Sequence, residues 1–434
     1  MRLALRPLLS LILLCLCGVP AHAVLNIEIT QGTSGGIPVA ILPFQWRSGS
    51  GGAPVRIGAV VSRDLARSGS ISPVARSVYP ESPQGLSAID MRAWRDAGVE
   101  AVLVGETAPA QSGGYAVSFR LYDTIRGEQL LGYRIPARAG ELRKAAHKIS
   151  DLVFEALTGR RGAFSTRLAY VRAELARDGG RRYLLQVADS DGYNPRTIYA
   201  SGAPIMSPAW SPDGRRIAYV SFERRRSEIY VQDVLSGKRE RLSGRPGINS
   251  APAWSPDGRH MALVLSIDGG AQIYILDLHS ARLRRLTHGP GVNTEPAWTP
   301  DGGSLIFTSD RSGQPQLYRI PAAGGRARRV SFEGKYNAAP AVSPDGRRVA
   351  MVHGTGSGFR IAILDLGTGA LQVLTDGFLD ESPSFAPNGT LLIYGTEFRG
   401  RGILATVSED GRVKEHLTEG TGDVREPAWS PFLQ

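Results

Sequence analysis

Ser207-Pro208-Ala209-Trp210-Ser211-Pro212-Asp213-Gly214 decides how the second half of this chain folds, because its closing turn returns at regular intervals. The turn comes back as Ser255-Pro256-Asp257-Gly258, Thr299-Pro300-Asp301-Gly302, Ser343-Pro344-Asp345-Gly346 and Ala386-Pro387-Asn388-Gly389, with a truncated copy at Ser430-Pro431. Successive prolines lie 44, 44, 44, 43 and 44 residues apart. A period of this length with short apolar strands between the turns marks propeller blades; helical repeats would carry an apolar rhythm of roughly 3.6 residues instead. Proline sets φ for the first corner of each turn, Asp or Asn accepts a backbone hydrogen bond, and Gly takes the left-handed conformation that sends the chain back. An aspartate repeated once per blade for this purpose is a turn residue, not a catalytic or metal-binding carboxylate.

Each tip follows a short inner strand, such as Pro208 to Trp210, and precedes three more strands, expected in the first full unit at Arg216 to Ser221, Glu228 to Val234 and Lys238 to Leu242. Trp or Phe ends five of the six inner strands, which reads as packing between blades. Segment 167–205 holds only three strands, Leu168 to Ala173, Tyr183 to Ala188 and Thr197 to Ala200, while the last strand, Glu426 to Trp429, has nothing after it. Pairing the two completes a sixth blade from both ends and removes every exposed sheet edge. The expectation is an all-β six-bladed propeller over residues 161–434, closed by its C-terminal strand.

Residues 24–160 have another rhythm. Leu25, Ile27 and Ile29 alternate with polar residues, and a glycine-rich hinge, Gly32 to Gly36, precedes an apolar strand from Ile37 to Phe44. Helices are expected from Pro54 to Ser68, Ala88 to Ala97 and Glu141 to Leu157, the last presenting Leu142, Ala145, Ile149, Leu152 and Val153 on one face and stopping at Gly159. Strands are expected at Glu100 to Gly105, Tyr115 to Asp123 and Gln129 to Ile135. These elements predict an α/β N-terminal domain, a mixed sheet with helices.

Ahead of it, Arg2 and Arg6, the apolar run Leu8 to Leu16 and Ala21-His22-Ala23 form a secretory signal peptide over residues 1–23. The run is well short of the roughly 20 residues needed to cross a bilayer, so no transmembrane segment is expected in the mature chain beginning at Val24. Cys15 and Cys17 are the only cysteines, and both lie in that peptide. Disulfides, thiolate nucleophiles and cysteine metal sites are thereby excluded from the mature protein. The net charge of +11 becomes +9 once the two leader arginines are subtracted. Such a balance could attract nucleic acid or anionic lipid. Only five of the 51 basic residues are lysine, however, and arginine is spread over every segment, the pattern of a solvated surface; nucleic acid is not an expected partner.

No catalytic pattern survives inspection. Gly32-Thr33-Ser34-Gly35-Gly36 matches G-x-S-x-G, but a nucleophile elbow needs a strand before it and a helix after it, and here a strand follows. His147, His260, His279, His288, His353 and His416 show no metal-ligand spacing, and His147 is expected on the helix surface. There is no phosphate-cradling G-x-x-x-x-G-K-[ST] loop. The reading is a binding protein without enzyme activity, cofactor or bound metal.

The residues placed to bind lie on loops that lead into the inner strands and ring the channel mouth: Gly247-Ile248-Asn249-Ser250-Ala251, Val292-Asn293-Thr294-Glu295, Tyr336-Asn337-Ala338-Ala339 and Leu379-Asp380-Glu381-Ser382. An Asn or Asp stands three places before the proline in all four. Those side chains either cap the loop backbone or face a partner. Glu295, Asp380, Glu381 and Glu426 could also draw a cation toward the channel.

The signal peptide, the segment Ile37-Pro38-Val39-Ala40-Ile41-Leu42-Pro43-Phe44, the junction Thr158-Gly159-Arg160-Arg161-Gly162-Ala163-Phe164 and the run Ser207 to Gly214 together resemble the TolB family, the periplasmic component of the Tol-Pal system, over essentially the whole chain. The resemblance implies a periplasmic protein whose channel mouth receives the lipoprotein Pal and whose N-terminal strand is offered to TolA. Other outer-membrane or peptidoglycan-associated proteins are further partners it allows. It also implies a part in outer-membrane integrity and in constriction at division. Carried onto this sequence, the Pal contacts are Ile248, Asn249, Ala251, Asn293, Thr294, Glu295, Asn337, Asp380 and Glu381, and the TolA strand is Val24, Leu25, Asn26, Ile27, Glu28 and Ile29 within 24–35. Some family members have histidine where Ile248 stands. A strand followed by a glycine hinge can dock on its own protein or add to a partner's sheet, which would let Pal binding bias exposure of the strand. Two other classes share the blade turns: an exported hydrolase, which needs a catalytic α/β domain that this chain lacks, and a propeller that binds a sugar, a metal or peptidoglycan directly.

Overall fold

The computed structural model describes residues 35–433 apart from 49–52, 82, 84, 87, 111–112, 177–178 and 418–421. The leader 1–23 and the strand expected from Val24 to Ile29 lie outside the described residues.

The N-terminal domain is built on β1 (Ile37–Ile41), β2 (Gln45–Trp46), α1 (Ile57–Arg67), β3 (Ile71–Pro73), α2 (Met91–Asp96), β4 (Ala101–Pro109), β5 (Tyr115–Asp123), β6 (Glu128–Ala137) and α3 (Leu142–Thr158). The sheet runs β3-β1-β4-β5-β6 with β2 also on β4; β1 is parallel to both neighbours and the β4-β5-β6 part is antiparallel. Alternate residues of β1 point to opposite faces, and both faces are covered. Val39 and Ile41 meet Ile57, Leu65, Ile149 and Val153 of α1 and α3, while Ala40 packs in the layer that holds Trp94 of α2. Asp90 caps α2 by accepting from the N–H groups of Arg92 and Ala93, and Gly159 ends α3 at φ +70°.

Two details differ from expectation. The stretch Ile37 to Phe44 is not one strand: β1 stops at Ile41, the Leu42 N–H still donates to Leu103 O (3.0 Å), and the ladder on β4 resumes at Gln45. The three-residue edge strand β3 is too short to show a period and is missed by pattern reading.

Six four-stranded sheets follow. Blade I combines the inner strand Asp423–Trp429 with Arg167–Leu175, Arg181–Asp189 and Arg196–Ser201. Blades II to VI run in chain order, with inner strands Ile205–Trp210, Asn249–Trp254, Asn293–Trp298, Asn337–Val342 and Glu381–Phe385. The first and last parts of the propeller are thus paired, Trp429 opposite Leu168 and Val424 opposite Arg172. Second strands are apolar throughout, as Ile217-Ala218-Tyr219-Val220 shows, because each blade is sandwiched between two others. Indole N–H groups tie neighbouring blades: Trp210 Nε1 donates to Ala428 O (3.1 Å), Trp254 to Ala209 O (3.2 Å) and Trp298 to Ala253 O (3.0 Å). At the tips, Asp257 Oδ1 accepts from Ser255 Oγ and from the Arg259 N–H, which hold its carboxyl below the usual range, and Gly258 stands at φ +69°.

The N-terminal domain meets the tip end of the propeller. Arg160 donates to Asn388 O (3.0 Å) and Asn388 Nδ2 to Arg161 O (2.9 Å), so the one tip carrying Asn in place of Asp serves the junction. Phe164 N donates to Asp151 Oδ1 (2.7 Å), and Gly162 lies so close to Asp151 that a Cβ would stand 2.4 Å from its Cα. His147 corrects the sequence reading: it is buried at this junction, because α3 turns that side toward α1 and blade I.

Candidate functional site

The inner strands are longer than expected. Five of them begin three or four residues before the proline and that of blade VI begins two before it, and all six pass through a break in register around that point, as between Ser250 and Ala253. Ser207, Ala251, Glu295, Ala339, Ser382 and Glu426, each followed by proline, all take φ between +45° and +54°. Proline needs no hydrogen-bond partner for its nitrogen and therefore fits a bulge in the strand. These six steps and their prolines line one cavity of about 300 Å³.

Two of the six are glutamates, three blades apart and so on opposite sides. Glu295 Oε2 accepts from Thr308 Oγ1 (2.7 Å) and from the Ala339 N–H of the next blade (2.8 Å). Glu426 accepts from the Ser207 N–H of its own next blade. Burial in the channel, reinforced by Glu381 and Glu295, pushes Glu426 up to about 7 against the pull of the Ser207 hydrogen bond and Arg425. The four carboxylates expected to draw a cation each have a protein partner instead, Asp380 bonding Thr396 Oγ1 (2.6 Å) and Glu381 lying 3.7 Å from Arg425. Among the described residues they do not gather as a three-ligand group.

The repeated Asn side chains are structural. Asn249, Asn293 and Asn337 are 0 % exposed. Asn249 accepts from Ser243 Oγ and the Arg245 N–H and donates to Arg245 O; Asn293 and Asn337 donate to Gln272 and Gln316. Asp380 is buried likewise. Of the two roles left open by the sequence, capping the loop or facing a partner, the hydrogen bonds of these buried side chains match the first. Thr294, Ala251, Glu295 and Glu381 are half-buried on the channel wall.

Beside exposed charges such as Arg245, Glu333 and Lys335, the loops present apolar side chains. Ile248, Val292, Phe332 and Phe378 stand on the four consecutive loops leading into blades III to VI, and the two phenylalanines are 72 % and 76 % exposed. Phe359 and Phe398 continue the crescent from the adjacent hairpins. Of these, the sequence reading chose Ile248 as a contact and named Val292 within its loop, but missed the phenylalanines. A phenylalanine inside a polar, turn-rich segment, as in Ser331-Phe332-Glu333-Gly334 and Asp376-Gly377-Phe378-Leu379, is the signal that would have found the others. The strand expected from Val24 to Ile29 lies outside the described residues.

The model of the TolB amino-terminal domain matches residues 25–130, and that of the TolB beta propeller domain matches residues 154–433. This chain belongs to the TolB family. It is 63 % identical over 425 residues to the Tol-Pal system protein TolB of Thioalkalivibrio sulfidiphilus, covering 98 % of this chain and 97 % of that one, and 58 % identical over 424 residues to that of Nitrosococcus oceani, with the same coverage. The crystal structure of TolB from Acinetobacter baumannii superposes with a TM-score of 0.84 at 40 % identity, covering 92 % of this chain and 97 % of that one. The TolB-family mouth in this chain thus combines buried amides, a proline-lined channel and an exposed apolar crescent.

Proposed function

We propose that this chain is the TolB component of a Tol-Pal system: an exported, periplasmic adaptor without catalytic activity. Its propeller mouth binds the lipoprotein Pal and its N-terminal strand, Val24 to Ile29, engages TolA, in support of outer-membrane integrity and constriction at division. The observation that carries this reading is the crescent of Ile248, Val292, Phe332 and Phe378 on the face opposite the N-terminal domain. Exposed apolar groups around a polar rim mark protein-binding surfaces, and aromatic anchors dominate their energetics. Ala251, Thr294, Glu295 and Glu381 would line the channel under an inserted Pal loop, while Asn249, Asn293, Asn337 and Asp380 would shape the site from beneath.

Calorimetric titration with the soluble domain of Pal from the same organism tests it. One-to-one binding is expected, weakened about 100-fold in a Phe332→Ser/Phe378→Ser variant, if each anchor contributes roughly 1.4 kcal/mol. Unaltered affinity in the variant would move the site off the crescent, and no binding by either protein would favour a propeller that takes a small ligand or peptidoglycan directly.

A further inference from the structure

Between the two domains lies a buried group of charges that the mouth does not use. Asp64 and Arg67 come from α1, Arg143, His147 and Ser150 from α3, and Asp189, Ser190 and Asp191 from blade I. The side chains of Asp64, Arg67 and His147 are each 2 % exposed. His147 Nδ1 is 2.7 Å from Asp64 Oδ2, which also accepts from Ser150 Oγ (2.7 Å). On the other side of the ring, Nε2 has no hydrogen-bond partner and faces Asp191 Oδ2 at 3.7 Å. Arg67 lies 3.4 Å from Asp64 and donates to Ser190 O across the junction (3.1 Å); Arg143 pairs with Asp191 and covers the Tyr193 ring.

Neither neutral tautomer suits this cage. With its proton on Nε2, the imidazole would set the Nδ1 lone pair against a carboxylate oxygen at 2.7 Å. With it on Nδ1, the Nε2 lone pair would face Asp191, buried and unpaired. The imidazolium alone serves both carboxylates. Burial works against the charged ring, but the charge and hydrogen bond of Asp64, with Asp191, outweigh burial and Arg67 and lift His147 above its ordinary value.

We propose that His147 is a proton-operated latch between the N-terminal domain and the propeller: charged, it bridges Asp64 of one to Asp191 of the other; neutral, it lets go of blade I. A histidine raised in the folded state adds its full coupling below about pH 6.5 and loses it as pH rises through the raised value. Each unit of elevation makes the coupling about tenfold stronger.

The test uses the full mature protein. Side-chain 15N spectra, with His147→Gln identifying the signal, are expected to show His147 protonated on both nitrogens at pH 7. Amide exchange at residues 189–193, corrected for intrinsic rate, should accelerate about tenfold or more as His147 deprotonates, and this extra pH dependence should vanish in His147→Gln and in Asp191→Asn. A neutral ring at pH 7 would overturn the proposal, as would the same pH dependence in both variants. Stabilisation by added zinc chloride would overturn it as well, since the three groups would then hold a metal in place of the proton.

Discussion

Six residues before proline hold left-handed backbone around the channel, and none of them is β-branched. A left-handed conformation costs an ordinary residue roughly 1–2 kcal/mol, which the surrounding ring must offset. Glu426 adds an electrostatic load to this strain. Its acid form persists to about 7 in the folded protein, against an ordinary value of 4.5. The folded state therefore holds a proton that the unfolded chain has released, and stability falls as pH rises from about 4.5 to 7. Glu426→Gln keeps an acceptor for the Ser207 N–H and removes the titration. Urea unfolding should find the variant more stable than the parent at pH 8, by at most about 3 kcal/mol after allowing for screening by channel water, and nearly equal at pH 4.5. Equal stability at both pH values would show that the carboxyl is solvated. At this scale the sequence is legible where a residue repeats and opaque where it does not. The Asn three places before the proline in blades III to V is visible as a pattern, yet only burial shows that it serves its own loop. His147 meets Asp64 across 83 residues and Asp191 across a domain boundary, and no local spacing records either contact.

Among elements, the period of the tips made the blades readable, since a turn that needs Pro, Asp and Gly in order leaves its mark on sequence. Strand boundaries were less readable. The inner strands run back past their prolines through the register break, and β1 stops before Pro43; the bounds of a strand depend on which neighbours it meets, which a local pattern does not record. The C-terminal strand is the element with most at stake. It supplies the inner strand of blade I, sends the Trp429 indole N–H to Thr166 Oγ1 (2.7 Å), and receives the Trp210 indole N–H at Ala428 O. A chain ending at Gly422 would expose the edge of Arg167–Leu175 and the apolar faces of two neighbours. Thermal unfolding should show a loss of many degrees together with a tendency to aggregate; an unchanged melting temperature would mean that blade I closes by other means.

For the whole molecule, the two ends of the propeller have different tasks. The tip end holds the N-terminal domain through Arg160, Asn388, Arg63 with Glu415, and the buried charges around His147. The mouth end carries the apolar crescent, over loops braced from within by the buried amides of Asn249, Asn293 and Asn337. A partner seated at the mouth can influence the other end only through the blades, and blade I is the one that both completes the ring and carries Asp191. The central claim, that the mouth receives Pal, is tested most directly by hydrogen exchange of the mature protein with and without the soluble Pal domain. Slower exchange is predicted at 245–249, 289–294, 331–337 and 376–381, with the tips at 211–216, 255–260 and 299–304 unchanged. Protection at those tips, with the mouth loops exchanging as before, would contradict the account.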